Sequence, residues 1–233
     1  MAKILFGAIV ADARKKIAGN VFSKSRFGSY IRKKSSPVQP RTDFQRAVRA
    51  NFSANSKNFS TVLTSAEILA WNTFATTHPV KDRFGNTQNL TGLQWYQKLN
   101  RELHTIAQTA ITAPPASIST SDLGGVTLTQ AAVTPFHISV ATTNLPATGE
   151  YIVIIAAPPL PPGRSFIGKK FRIILVDIGT TVQPIDISPA YTTKWGPQLL
   201  GQKINVQVYN VVALTGGRGT AYQDGLVLTS TPI

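Results

Sequence analysis

The residues with the clearest chemical potential are basic. Between Arg14 and Arg49 stand eleven lysines or arginines and one acid, Asp43, so this stretch alone carries +10 of the chain's formal +14. Its candidate contact residues are Arg14, Lys15, Lys16, Lys24, Arg26, Arg32, Lys33 and Lys34, with Phe22, Phe27 and Tyr30 interleaved. Cations at this density can pair with carboxylates on an acidic protein surface, arginine in a bidentate fork. They can also neutralise phosphates while the aromatic rings stack on bases. A solvated basic face is the third reading. Docking onto protein is preferred among the three, and contact with DNA is kept as the alternative.

Catalytic material is thin. His78, His104 and His137 show no metal-ligand spacing, and the ten acids are scattered. Asp177 and Asp186 flank a turn without a partner that the spacing identifies. There is no cysteine, hence no disulfide framework and no thiolate metal site. Thr215-Gly216-Gly217-Arg218-Gly219 lacks the Gly-Lys-Ser/Thr ending of a phosphate loop and reads as a hairpin tip. Ala157-Pro158-Pro159-Leu160-Pro161-Pro162-Gly163 contains a PxxP pattern, read as a connection between strands. The expectation is a protein that is not an enzyme, with no catalytic residue, cofactor, metal or small-molecule substrate.

The elements that must present the basic cluster follow from periodicity and turn signals. Ile17 to Lys24 and Ser29 to Lys34 flank Ser25-Arg26-Phe27-Gly28, which predicts a β-hairpin with its cations gathered near one end. The start, MAKILFGAIVADA, has signal-peptide character but is short for one, and reads as an extended segment that packs against something. Pro37 and Pro40 make a stiff connector. Three helices then each open on a capping box: Thr42 with Gln45, Thr64 with Glu67, Thr91 with Gln94. Phe44, Val48 and Phe52 share a face of the first. Trp71, Phe74, Tyr96 and Leu99 are the expected core. A DNA-reading helix needs polar and basic side chains on one exposed face, and Gln94, Gln97, Lys98 and Arg101 make a sparse one.

Thr112-Ala113-Pro114-Pro115 reads as an interdomain linker, because charge shifts there. Residues 1–112 carry 17 basic and 5 acidic groups, and residues 113–233 carry 7 and 5. Strand candidates follow at Val126–Gln130, His137–Thr143, Tyr151–Ala156, Phe171–Asp177, Tyr191–Lys194, Lys203–Leu214 and Leu226–Ser230. Ile204, Val206 and Val208 alternate inward. The expected fold class is therefore multidomain α+β: a basic hairpin arm over 1–41, a three-helix domain over 42–112, and an immunoglobulin- or fibronectin-III-like β-sandwich over 113–233. No apolar run reaches the roughly 18 residues of a bilayer span, so no membrane partner is expected.

The chain resembles a family of virion structural proteins of tailed bacteriophages and prophages, in which a basic hairpin precedes a helical unit and an Ig-like β domain. The matching residues are Gly19, Val21, Ser23, Gly28, Tyr30 and Arg32, then Pro37, Pro40, Thr42, Gln45 and Arg49. Leu63-Thr64, Ala70-Trp71-Asn72, Phe74-Ala75, Gly85, Leu90, Gly92 and Leu99-Asn100-Arg101 complete them. The likeness is close in the first half and architectural in the second. It implies a component made in the host cytoplasm and carried in the virion, as a capsid-associated or decoration protein, a connector or a tail piece. Its partners would be other virion proteins and copies of itself. The basic arm tilts this toward the capsid, where an acidic shell or packaged DNA would receive it. The alternative is a nucleic-acid-binding protein that uses the arm and helical domain.

Overall fold

The computed structural model describes residues 2–5, 12–34, 42–82, 84–131, 137–164, 167–168, 170–178 and 183–229. Phe6, Ile9 and Val10 of the expected packing segment, and Pro37 and Pro40 of the connector, lie outside the described residues. Within them the chain is mixed α and β, with four helices and several antiparallel sheets. It divides into two compact units, Met1–Ala50 with His78–Leu90 and Asn51–Thr77 with Thr91–Ile233. The boundaries expected at 41/42 and 112/113 fall inside these units rather than between them.

The first unit is built on an antiparallel sheet of β1 (Ala2–Lys3), β2 (Lys15–Ile17), β3 (Asn20–Ser25) and β4 (Gly28–Lys33), in the order β1-β4-β3-β2. β3 and β4 are the expected hairpin. It turns on Arg26 and Phe27, and Gly28 at φ +106 takes the conformation a side chain would resist. The run from Ile17 to Lys24 is not one strand. Ala18 enters the left-handed region at φ +50 beside Gly19, and Lys15–Ile17 folds back as an additional edge strand. A second ladder joins β5 (Val80–Lys81) to β6 (Thr87–Gln88). Asp82 organises its loop by accepting the Phe84 and Asn86 N–H groups at 2.7 and 3.0 Å. No described side chain of this unit is buried.

In the second unit the helices α1 (Asp43–Thr61, which begins in the first unit), α2 (Ser65–Thr77) and α3 (Gly92–Thr105) carry their caps. The boxes at Thr64 and Thr91 are complete: each Thr hydroxyl accepts the third N–H, and Glu67 or Gln94 bonds back at 2.8 Å. At Thr42 only the first half forms, from Gln45 N at 3.3 Å. Trp71, Phe74, Tyr96 and Leu99 are buried as expected. Phe44, Val48 and Phe52 are instead 66%, 49% and 60% exposed. The part of α1 that packs on α3 lies further along, through Phe59 on Tyr96, Ser56 on Gln97 and Asn55 on His104. Gly92 sits where α3 meets α2. A Cβ there would lie 2.9 Å from the backbone of both Trp71 and Asn72. Gly92→Ala is expected to cost about 1–3 kcal/mol, read from the denaturant midpoint.

The β elements are β7 (Val126–Ala131), β8 (His137–Thr142), β9 (Glu150–Ala156), β10 (Arg172–Ile178), β11 (Ile185–Asp186), α4 (Ser188–Trp195), β12 (Lys203–Val212) and β13 (Tyr222–Val227). They form a four-stranded sheet, β10-β9-β12-β13, and a three-stranded one, β11-β8-β7. Leu128, Ile138 and Val140 of the smaller sheet share one core with Ile152, Ile154, Ile204, Val206 and Val208 of the larger. The inward alternation of β12 is as expected. Tyr191–Lys194 is not a strand but the heart of α4. Pro189 suits a helix start, and Tyr191 reaches the core, its hydroxyl donating to the Ala157 carbonyl at 2.9 Å. Nor are Thr112–Pro115 a free tether. Trp71 Nε1 donates to the Thr112 carbonyl at 2.6 Å, and Asn100 holds the Ile111 backbone from both sides. Leu103 and Ile106 pack with Val153, Tyr209 and Val211, so helices and sheet share a second core.

Candidate partner-binding site

The basic residues are distributed by the pleat of the first sheet. Directly opposed residues of antiparallel strands share a face, and successive residues alternate. The register pairs Lys15 with Phe22 and Phe22 with Ile31. One face therefore carries Lys15, Phe22, Lys24, Ile31 and Lys33. The other carries Lys16, Val21, Tyr30 and Arg32, and Lys34 follows on that side. The single-ended cluster expected from the hairpin does not form. Lys24 and Arg26 lie at the turn, whereas Arg32 and Lys33 pair with Val21 and Asn20 at the opposite end.

Arg14, Lys15, Lys16, Lys24, Arg26, Arg32, Lys33 and Lys34 are all exposed. Arg14 Nε donates to Asp12 at 3.1 Å. Arg26 lies over the Phe27 ring, 4.9 Å from its centroid, and donates to the Asn89 carbonyl at 2.9 Å. It is thus a tie within the unit rather than a freely presented cation. Lys3, the cation of the signal-peptide-like start, pairs with Asp82. That ammonium, with the Phe84 and Asn86 N–H groups, outweighs partial desolvation and holds the Asp82 carboxyl down at about 2. The contact links β1 to the β5–β6 loop. Nothing in the sequence spacing joins residues 79 positions apart.

A recess of about 330 Å³ opens beside β2 and β3, lined by Arg14, Lys15, Phe22, Ser23 and Lys24. Lys15 adopts φ +74, a conformation that costs a residue with a Cβ.

Elsewhere the sequence motifs resolve into structure. Thr215–Gly219 closes a tight reversal, with Gly216 N donating to Val212 O and Gly219 N to Asn210 O, both at 2.9 Å. Arg218 is held there, 3.7 Å from the Tyr209 ring centroid and 3.7 Å from Glu102. The proline-rich run connects β9 to β10, with Leu160 bridging to Lys203. His104 bonds Asn55 at 3.2 Å. Among the described residues, no group of three or more His, Asp or Glu is placed to hold a metal ion, and no helix is long and apolar enough to cross a membrane. Comparison of the chain with protein-family models, with curated proteins and with solved structures finds no match.

Proposed function

We propose that the protein is a non-enzymatic structural component of a tailed-phage virion, anchored through its basic N-terminal sheet. One observation carries this reading: a sheet with five exposed candidate cations on its strands and three more at its turn and flanks, in a unit where no described side chain is buried. Small sheets gain independent stability from a buried apolar face. A strongly basic sheet with no buried side chain among its described residues is suited to completing its burial against a second, acidic surface. The residues that anchor are Lys16, Arg32 and Lys34, which share one face, with exposed Ile17 and Leu5 as apolar contacts at the sheet's margins. The two sheets of the second unit, with their shared core, support an Ig- or fibronectin-III-like sandwich that projects from the particle or braces neighbouring copies. A capsid-associated position is preferred to the tail because the arm is so basic. The protein would be made in the host cytoplasm and carried in the virion.

The test is co-migration with particles through a density gradient. The intact chain is expected in the particle band. Lys16→Gln, Arg32→Gln and Lys34→Gln together are expected to weaken attachment about ten-fold, since exposed ion pairs each contribute about 0.2–1 kcal/mol. Moderate salt should weaken it less than it weakens a phosphate contact. A chain that stays wholly in the soluble fraction at low salt defeats the proposal.

A further inference from the structure

We propose that the recess beside β2 and β3 is a nucleotide-binding subsite for single-stranded nucleic acid, with Phe22 as the stacking platform and Arg14, Lys15 and Lys24 as the phosphate contacts. The site is separate from the face carrying Lys16 and Arg32, and the inference does not depend on the virion reading.

The chemistry follows from the lining. Lys15 lies directly across from Phe22 in the β2–β3 register, and Lys24 stands two residues along β3 on the same face. Arg14 precedes Lys15. Three cations therefore surround one half-buried aromatic ring, with Ser23 alongside. Asp12 occupies only the Nε edge of Arg14, so the terminal nitrogens of the guanidinium remain for an anion. Like charges gathered around a concave site repel one another, and an anion seated among them relieves that repulsion. A carboxylate would satisfy the cations but leave the ring unused. A phosphodiester with an adjoining base uses both. At about 330 Å³ the recess is at the small end of ligand pockets, which run from roughly 300 Å³ upward, and suits one nucleotide unit. Stacking on the open face of this half-buried ring requires an unpaired base, which selects single strands over duplex. The left-handed Lys15 holds the edge strand in a sparsely populated backbone conformation at this point, as functional sites often do.

The full chain is titrated against a fluorescein-labelled oligo(dT) of about ten nucleotides, within the usual site size, by anisotropy over a salt series. Binding is expected, and Phe22→Leu should weaken it about ten-fold with the salt slope unchanged. That variant keeps an apolar side chain in the sheet. Lys15→Gln and Lys24→Gln are exposed changes that the fold tolerates, and each should flatten the slope by about 0.7. Absence of binding at low salt overturns the proposal. So does a Phe22→Leu protein that binds like the parent, or a loss from Lys16→Gln as large as that from Lys24→Gln, which would mean a diffuse field. An acidic peptide that displaces the oligonucleotide at equal concentration would assign the recess to a protein ligand instead.

Discussion

Trp71→Ala is expected to lower the unfolding free energy by about 4 kcal/mol, in the range for large-to-small changes at fully buried aromatic positions. Trp71 is 0% exposed. Its ring meets Phe74 at 5.8 Å and Tyr96 at 5.4 Å between centroids, both edge-on. Such pairs add roughly 0.5–1.5 kcal/mol beyond area burial. Its Nε1 donates to Thr112 O at 2.6 Å and ties the end of the helical segment to α2. The substitution would open a cavity among these rings and leave the Thr112 carbonyl without this donor. Trp71→Phe should recover the packing but not the hydrogen bond, and fall between the two. Denaturant unfolding followed by circular dichroism reads both. A loss below about 1 kcal/mol for Trp71→Ala would place this residue outside the core.

The second large effect is at Glu150. Glu150 is 5% exposed and opens β9, and its carboxylate is the acceptor of a shared network. It accepts the Ser121 N–H at 2.8 Å, the Ser121 hydroxyl, the Asn210 amide at 2.6 Å and the Ala147 N–H at 3.3 Å. One side chain thus joins the segment before β7, the loop before β9 and the central strand β12. Glu150→Ala would leave the Ser121 N–H and hydroxyl without this acceptor and take away one of those of the Asn210 amide, which keeps the Ser121 carbonyl at 2.9 Å, and is expected to cost about 3 kcal/mol. Burial by itself raises the Glu150 pKa. The donors from Ser121, Asn210 and Ala147 outweigh burial and hold it below the ordinary 4.5. The sign follows from linkage: a lowered folded-state pKa contributes stability that is complete above the unfolded value. That stability is lost as pH falls through the folded one. The difference between parent and Glu150→Gln should therefore be largest near neutrality and shrink below about pH 4.5. Urea titrations across that range measure it, and a difference independent of pH would contradict the assignment.

Much of the second unit was legible because local signals and burial agree there. The Thr64 and Thr91 capping boxes, the helical spacing of Trp71, Tyr96 and Leu99, and the alternation of Ile204, Val206 and Val208 each point to the structure observed. Tyr191–Lys194 misled because Tyr-Thr-Thr favours strands, although Ser188-Pro189 just before it suits a helix start. Phe44, Val48 and Phe52 recur at helical spacing on α1, but periodicity does not say which turns find a neighbour, and these three are exposed. Thr112–Pro115 carried the composition of a linker, and only the long-range bonds from Trp71 and Asn100 show it to be fastened.

At the arm, the sequence identified the cations but not their placement. Ala18-Gly19 before Asn20 is a turn signal. Once the chain reverses there, Lys15 comes across from Phe22 and the recess follows. The Lys3–Asp82 pair was invisible to any local pattern.

The central claim is that the first unit is the docking element. The measurement that tests it most directly is hydrogen exchange of the chain, free and bound to particles. On docking, amides of β3 and β4 should slow about ten-fold as local opening of the docked sheet is suppressed, while those of β9 and β12, which belong to the other unit, stay as they are. Unchanged exchange across Asn20–Lys33, with protection appearing instead on β10 or β13, would mean that the chain attaches through its β domain and that the basic sheet faces elsewhere.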